Sequence, residues 1–267
     1  MKRILLISCF VAVCLFGVYY LLPIKFFYST DYLPPPIGWY SEPETKEDFL
    51  FHAIIVGDTL KAHQLLKDGV SSDAESTMSD SKALMLAAEY GREEIVTLLI
   101  ENGADINAKN FVGASALMCS IWRGHPNIAN LLISNGATLN DSTLDGYTPL
   151  IAALTGRQFS TAETLVRHGA DVNLKYQGTI TPLQYATAGQ QTEMVRLLID
   201  NGARIDEQTN DGDTVLMLAA ERGYTALVRL LLDSGASVSI TNKANKTALM
   251  LAREKKRSDC VKILSEK

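Results

Sequence analysis

Residues 143–175 read TLDGYTPLIAALTGRQFSTAETLVRHGADVNLK, and this stretch decides the fold. Asp145-Gly146 is a turn signal. Thr148-Pro149 opens a short helix, with proline in the first turn, where a missing N–H costs little. Leu150 and Ala153 lie three apart on one face, and the small alanine lets a second helix approach closely. That second helix carries Ala162, Leu165 and Val166 and stops at Gly169, which takes up a left-handed conformation without strain. Two helices of about eight to ten residues are too short to be stable alone in water. Each must bury its apolar face against a neighbour.

The neighbours are copies of the same stretch. Leucine recurs at Leu50, Leu84, Leu117, Leu150, Leu183, Leu216 and Leu249, one step of 34 followed by five of 33. Small residues follow three places later, at Ala53, Ala87, Ser120, Ala153, Ala186, Ala219 and Ala252. Glycine keeps the register at Gly69, Gly103, Gly136, Gly169, Gly202 and Gly235, and alanine follows each of the last five. A period between 20 and 50 residues marks a solenoid whose stability is a nearest-neighbour sum.

Thr148-Pro149-Leu150, Thr181-Pro182-Leu183, Gly103-Ala104-Asp105-Ile106-Asn107 and Gly169-Ala170-Asp171-Val172-Asn173 resemble the ankyrin repeat. The resemblance runs from Asp48 to Leu264, about 80% of the chain. It implies an all-α solenoid of about seven helix-turn-helix units with short hairpin loops. The units are placed near 48–76, 77–109, 110–142, 143–175, 176–208, 209–241 and 242–267, the first and last being irregular caps. The sequence departs from the family at the histidine that usually follows Thr-Pro-Leu. Phe51, Met85, Met118, Ile151, Gln184, Met217 and Met250 stand there. Inter-unit hydrogen bonding is expected to be lost at these positions and replaced by flexible apolar packing.

The chain ahead of the repeats differs in composition. Ile4 to Leu22 reads ILLISCFVAVCLFGVYYLL, nineteen residues without a charge. As a helix it spans roughly 28 Å, near the ~30 Å hydrocarbon thickness of a bilayer. Tyr19 and Tyr20 suit the interface, Pro23 stops the helix, and Lys2 and Arg3 favour a cytoplasmic amino terminus. Residues 1–28 are therefore expected to form a single transmembrane anchor that contacts the bilayer through residues 4–22, with the repeats on the far side. The competing reading is a cleaved signal peptide, although bulky residues occupy the −3 positions of the available cleavage sites. Residues 29–47, with Pro34-Pro35-Pro36 and several acids, read as a stiff extended spacer before the repeat domain at 48–267.

Composition excludes several classes of function. The chain has 267 residues, with 25 Lys and Arg against 30 Asp and Glu for a net charge of −5. Without a basic stripe, nucleic acid is not an expected partner. Neither a phosphate loop nor a nucleophile elbow is present, and no His/Cys pair has zinc-ligand spacing. The four histidines fall in different helices or units. Hence neither catalytic residues, nor a metal, nor a cofactor is expected. Cys119 and Cys260 lie four units apart, at least ~30 Å at 8–10 Å per layer, too far for a disulfide.

What the resemblance implies is protein binding at the hairpin tips and the exposed end of each first helix, which together line a concave groove. Carried over by position, the hairpins contribute Phe111, Val112, Tyr147, Tyr176, Ile180, Asp211 and Lys243. The first helices contribute Tyr90, Trp122, Arg123, Arg222 and Lys255. The aromatics gather in units two to five, and Tyr, Trp and Arg are enriched in interface hot spots. The expected partner-binding set is Tyr90, Phe111, Val112, Trp122, Arg123, Tyr147, Tyr176 and Ile180. The alternative is that these rings pack on their own stack and bind nothing. The leading functional reading is a membrane-tethered scaffold, recruiter or inhibitor. A secreted effector after signal cleavage, or a periplasmic accessory of an oxidative-stress enzyme, are the alternatives, with bacterial origin suggested by the short single-domain layout.

Overall fold

The structure, a computed structural model, describes residues 43–76 and 81–267. Seven helix pairs follow one another along this part of the chain: α1 Lys46–Val56 with α2 Thr59–Lys67, α3 Ala83–Glu89 with α4 Glu93–Glu101, and α5 Ala116–Arg123 with α6 Pro126–Ser134. Then come α7 Pro149–Thr155 with α8 Phe159–Arg167, α9 Pro182–Ala188 with α10 Thr192–Asp200, α11 Val215–Arg222 with α12 Thr225–Asp233, and α13 Ala248–Glu254 with α14 Ser258–Ser265. Among the described residues the only β pairing is two isolated bridges, Glu75 with Lys82 and Tyr176 with Ile180. The apolar run at 4–22 and most of the spacer lie outside the described residues. Within those residues no helix is long and apolar enough to cross a membrane.

Local chemistry sets the helix ends. The hydroxyl oxygens of Ser115, Thr148, Thr181, Thr214 and Thr247 accept hydrogen bonds from the third backbone N–H of the helix that follows. Each satisfies one of the donors that a helix start leaves open. Pro149 and Pro182 occupy the first helical position. Each of the first six second helices ends before a left-handed glycine; at Gly169 φ is +91°. The first helix begins at Lys46, two residues inside the expected spacer, because Thr45 and Asp48 form a reciprocal capping box.

First helices pack on first helices and second helices on second helices in two parallel rows. The first-helix row packs more closely because its contact face is made of Ala53, Ala87, Ala153, Ala186, Ala219 and Ala252. The hairpins lead directly into the first helices and so lie on that row's side of the stack. The core is one continuous apolar layer between the rows, with Leu50, Leu84, Leu117, Leu150, Leu183 and Leu216 all buried.

The residues at the family's histidine position divide into three groups. Phe51, Met85, Met118, Ile151 and Met217 are buried apolar packing, as the sequence implies. Gln184 is buried but polar, and its side chain bonds within its own unit, 176–208, rather than across a unit boundary. Its Nε2 donates to the Glu207 carbonyl at 3.2 Å while its Oε1 accepts from the Thr181 N–H at 2.9 Å. An amide matches the imidazole's ability to donate, which a thioether lacks. Met250, in the last of the seven helix pairs, is 52% exposed.

Candidate functional site

The hairpins repeat one device. Asn110 Oδ1 accepts from the N–H groups of Val112 and Ala114, Thr143 Oγ1 from Tyr147, Thr209 Oγ1 from Asp213, and Asn242 Oδ1 from Ala244 and Lys246. A short polar side chain at this position closes its own turn. In the fifth unit the position is Tyr176. There the turn closes without a side-chain acceptor at that position, through Tyr176 N–H to the Ile180 carbonyl at 2.9 Å, Ile180 N–H back at 3.2 Å, and the Thr179 hydroxyl donating to the Tyr176 carbonyl at 3.3 Å. The ring is left to do something else.

It meets Tyr147 with ring centroids 4.4 Å apart and Tyr185 at 6.5 Å, both tilted. Three rings from two hairpins and α9 thus form a continuous aromatic surface across the fourth and fifth units. Burial pushes the Tyr185 phenol up to about 12, helped by the Tyr176 phenol, so it is a neutral hydrogen-bond donor at physiological pH. Tyr185 is absent from the expected set. The signal for it was an aromatic at a register position occupied elsewhere by Leu86, Cys119, Ala152, Leu218 and Leu251.

Adjacent hairpins are tied to one another. The Leu144 N–H donates to the Val112 carbonyl and Lys243 N–H to the Asp211 carbonyl, each at 2.9 Å. Phe111 and Leu144 stand one period apart on tied hairpins and are 71% and 81% exposed. Val112 and Ile180 are half-buried behind them. Phe111 was expected from sequence; Leu144 was not, although a large aliphatic at a turn tip is as plain a signal.

Tyr90 and Trp122 lie against the core with only part of each ring accessible. The Tyr90 hydroxyl is buried without a hydrogen-bond partner, and burial, with Glu89 beside it, raises its phenol above the usual range. Arg123 forms an ion pair with Glu89 of the preceding unit. The same pair recurs in register as Lys255 with Glu221 at 3.1 Å. Of the expected residues, the structure brings Tyr147 and Tyr176 into ring contact, sets Phe111 and Val112 on the neighbouring tip, and places Tyr90, Trp122 and Arg123 further along the first-helix row. Arg222, Asp211 and Lys243 are exposed.

Cys119 and Cys260 are buried free thiols, and burial pushes the Cys119 thiol up to about 12, which removes nucleophilic thiolate. Among the described residues no group of three His, Cys, Asp or Glu side chains could hold a metal. His125 Nε2 lies 3.2 Å from the Glu89 carbonyl and His168 Nδ1 2.8 Å from the Thr164 carbonyl, both bonded to backbone. What remains is a rigid, mixed aromatic and aliphatic strip.

A family model described as ankyrin repeats (3 copies) matches residues 37–110, 84–176, 139–209, 165–242 and 183–267. Among solved structures, the chain is similar to the ankyrin repeat domain of Bcl-3, a member of the IkappaB protein family. That pair shares 28% identity over 83% of this chain and 100% of the other, with a TM-score of 0.71. Similarity extends to a chain of the complex between a predatory endopeptidase from Bdellovibrio bacteriovorus and an immunity protein. There the identity is 29% over 70% of this chain and 99% of the other, at a TM-score of 0.60. The human ASB11 ankyrin repeat domain shares 26% identity over 80% of this chain and 96% of that one, with a TM-score of 0.64. No curated protein matches the chain.

Proposed function

Because this chain belongs to the ankyrin repeat family, whose fold is generally a protein-binding module without catalysis, we propose that it binds another protein through the concave strip of units two to five. The observation that carries this reading is the aromatic surface of Tyr147, Tyr176 and Tyr185 beside the exposed tips Phe111 and Leu144. Tyr147 and Tyr185 rest on the core while Phe111 and Leu144 project from it, and together they supply apolar area at low entropic cost. Tyr90, Trp122 and Arg123 extend the strip, and Val112 and Ile180 back it.

The proposal includes a membrane tether. The uncharged run at 4–22 is long enough to span a bilayer, and the flanking cations orient it with the repeats on the far side, the periplasm of a bacterium. Likeness to a chain of an endopeptidase–immunity protein complex from a bacterium favours an inhibitor or protector of an enzyme over a passive scaffold.

The test is quantitative affinity capture from detergent-solubilised membranes with the full chain and with Trp122→Ala. Loss of a hot-spot side chain of about 2 kcal/mol weakens capture about thirtyfold. Far-UV circular dichroism and melting report whether the stack survives the change. A folded variant that captures the same protein as strongly as wild type removes Trp122 and its neighbours from the interface.

A further inference from the structure

The row of bonds between hairpins is interrupted around the fifth unit. In the third and sixth units the tip carbonyls of Val112 and Asp211 accept from the next hairpin, at Leu144 and Lys243. At the same places in the fourth and fifth units, the carbonyls of Asp145 and Gly178 accept no hydrogen bond from the described residues. The matching N–H groups of Gln177 and Asn210 donate none. The fifth turn also differs in form. Gln177 and Gly178 both have positive φ, 49° and 68°, whereas Gly113, Gly146 and Gly212 are each the single left-handed residue of their turns. The Tyr176 hairpin thus stands between two tied pairs with its tip joined to neither by a backbone bond.

These turns are also acidic. Residues 143–147, 176–180 and 209–213 read TLDGY, YQGTI and TNDGD, with carboxylates and no cation. Asp213 accepts from the Asn242 amide at 2.7 Å. Asp145 and Asp211 are exposed and hold the same place in turns two units apart, and neither carboxylate is engaged by a described residue. Lys175, beside the fifth turn, is held by Glu207 at 2.5 Å. Lys243 on the seventh hairpin is exposed and makes no ion pair with Asp211. Arg157 and Arg222 lie at the opposite ends of α7 and α11.

Open carboxylates, open carbonyls and the touching rings of Tyr147 and Tyr176 suit one kind of ligand. A guanidinium stacks on an aromatic face, meets a carboxylate through a two-pronged fork and carries five N–H donors; an ammonium lacks the plane and the fork. We propose that the protein partner enters this strip with an extended basic segment, one arginine on the Tyr147 and Tyr176 rings beside Asp145 and a second at Asp211. This inference rests on the strip reading above and gives the partner its chemistry. At about 8–10 Å per unit the two carboxylates stand roughly 16–20 Å apart, a span that an extended chain covers in about five or six residues. The open main-chain groups of the fourth to sixth hairpins pair with the backbone of that segment.

The probe is a fluorescein-labelled peptide, GSRGSGSRGS, titrated with the full chain in uncharged detergent and read by fluorescence anisotropy. Two further peptides carry lysine or glutamate in place of both arginines. The site variant is Asp145→Asn with Asp211→Asn. A control, Glu193→Gln with Asp233→Asn, removes the same charge from α10 and α12, and circular dichroism checks the helicity of both. The arginine peptide is expected to bind wild type about tenfold more tightly than the site variant, and about fivefold more tightly than the lysine peptide binds wild type. The control is expected to match wild type.

Equal affinity of wild type and the site variant overturns the proposal. So does an equal loss in the control, which assigns the attraction to net charge alone. Lysine and arginine peptides that bind equally overturn the guanidinium assignment, and tighter binding of the glutamate peptide assigns the strip to an acidic partner instead. Loss of partner capture by Trp122→Ala, with the site variant binding the arginine peptide as wild type does, keeps the strip and removes its basic ligand.

Discussion

The residue just past each first helix carries a visible cost. Gly57, Gly91, Gly124 and Gly223 sit there with φ between 70° and 79°. One period on, the same left-handed position is held by Arg157 at 57°, Gln190 at 56° and Lys256 at 56°. Such a conformation costs a residue with a Cβ about 1–2 kcal/mol, partly offset because glycine adds freedom to the unfolded chain. Gln190→Gly is expected to raise stability by roughly 0.5–1 kcal/mol in urea unfolding; an unchanged or lower midpoint contradicts this. Thr161 makes a second residue-scale point. It is 1% exposed, its hydroxyl has no partner, and Ile95, Ile128 and Leu227 occupy the equivalent place. An unsatisfied buried hydroxyl costs about 1–3 kcal/mol, so Thr161→Val should stabilise the fold, read as a higher melting temperature. Neither position is legible from the 33-residue period alone, because the substitutions that break the pattern are the ones that carry the strain.

At the scale of the element, most of the structure was readable. Thr148-Pro149 opens α7, Glu93 and Glu94 start α4 on its exposed side, and Gly169 follows the end of α8. What could not be read is how units are tied together. Asp73, Asn107, Asn140, Asn173 and Asp206 each accept from a backbone N–H one unit on, at Asp105, Thr138, Asp171, Arg204 and Ser237. From sequence, Asp105 and Asp171 are turn residues, and they do brace their own turns. The reach into the next unit depends on the stacking distance, which no spacing within one unit encodes. A second tie runs the other way: Arg92, His125, Gln158 and Arg257 bond to first-helix carbonyls of the preceding unit. Apolar packing carries more than these ties. Leu150 is 1% exposed at the second position of α7, and Leu150→Ala is expected to cost about 2–5 kcal/mol through lost burial and a cavity. A chemical-denaturation curve that superimposes on wild type would show that Leu150 is not core.

Over the whole molecule, the repeat explains architecture and the exceptions to it mark function. The first and last described units break the apolar register: Lys61 and Arg253 are exposed in register with the buried Ile95 and Ala220, and Phe49, Val56, Leu60 and Met250 are exposed there as well. The candidate strip was half legible. Aromatics at hairpin positions announced Tyr147 and Tyr176, whose rings do meet. Tyr185 was hidden inside a helix that reads as ordinary, and Arg123 looked like a free cation because its Glu89 partner lies 34 residues away, across a unit boundary. The central claim is that the concave strip, and not the outer helices, meets the partner. A photo-crosslinking amino acid at position 122, compared with one at position 163 on the outer helix α8, tests it in the full chain. The account predicts a partner adduct from position 122 and none from 163; adducts from 163 with none from 122 would contradict it.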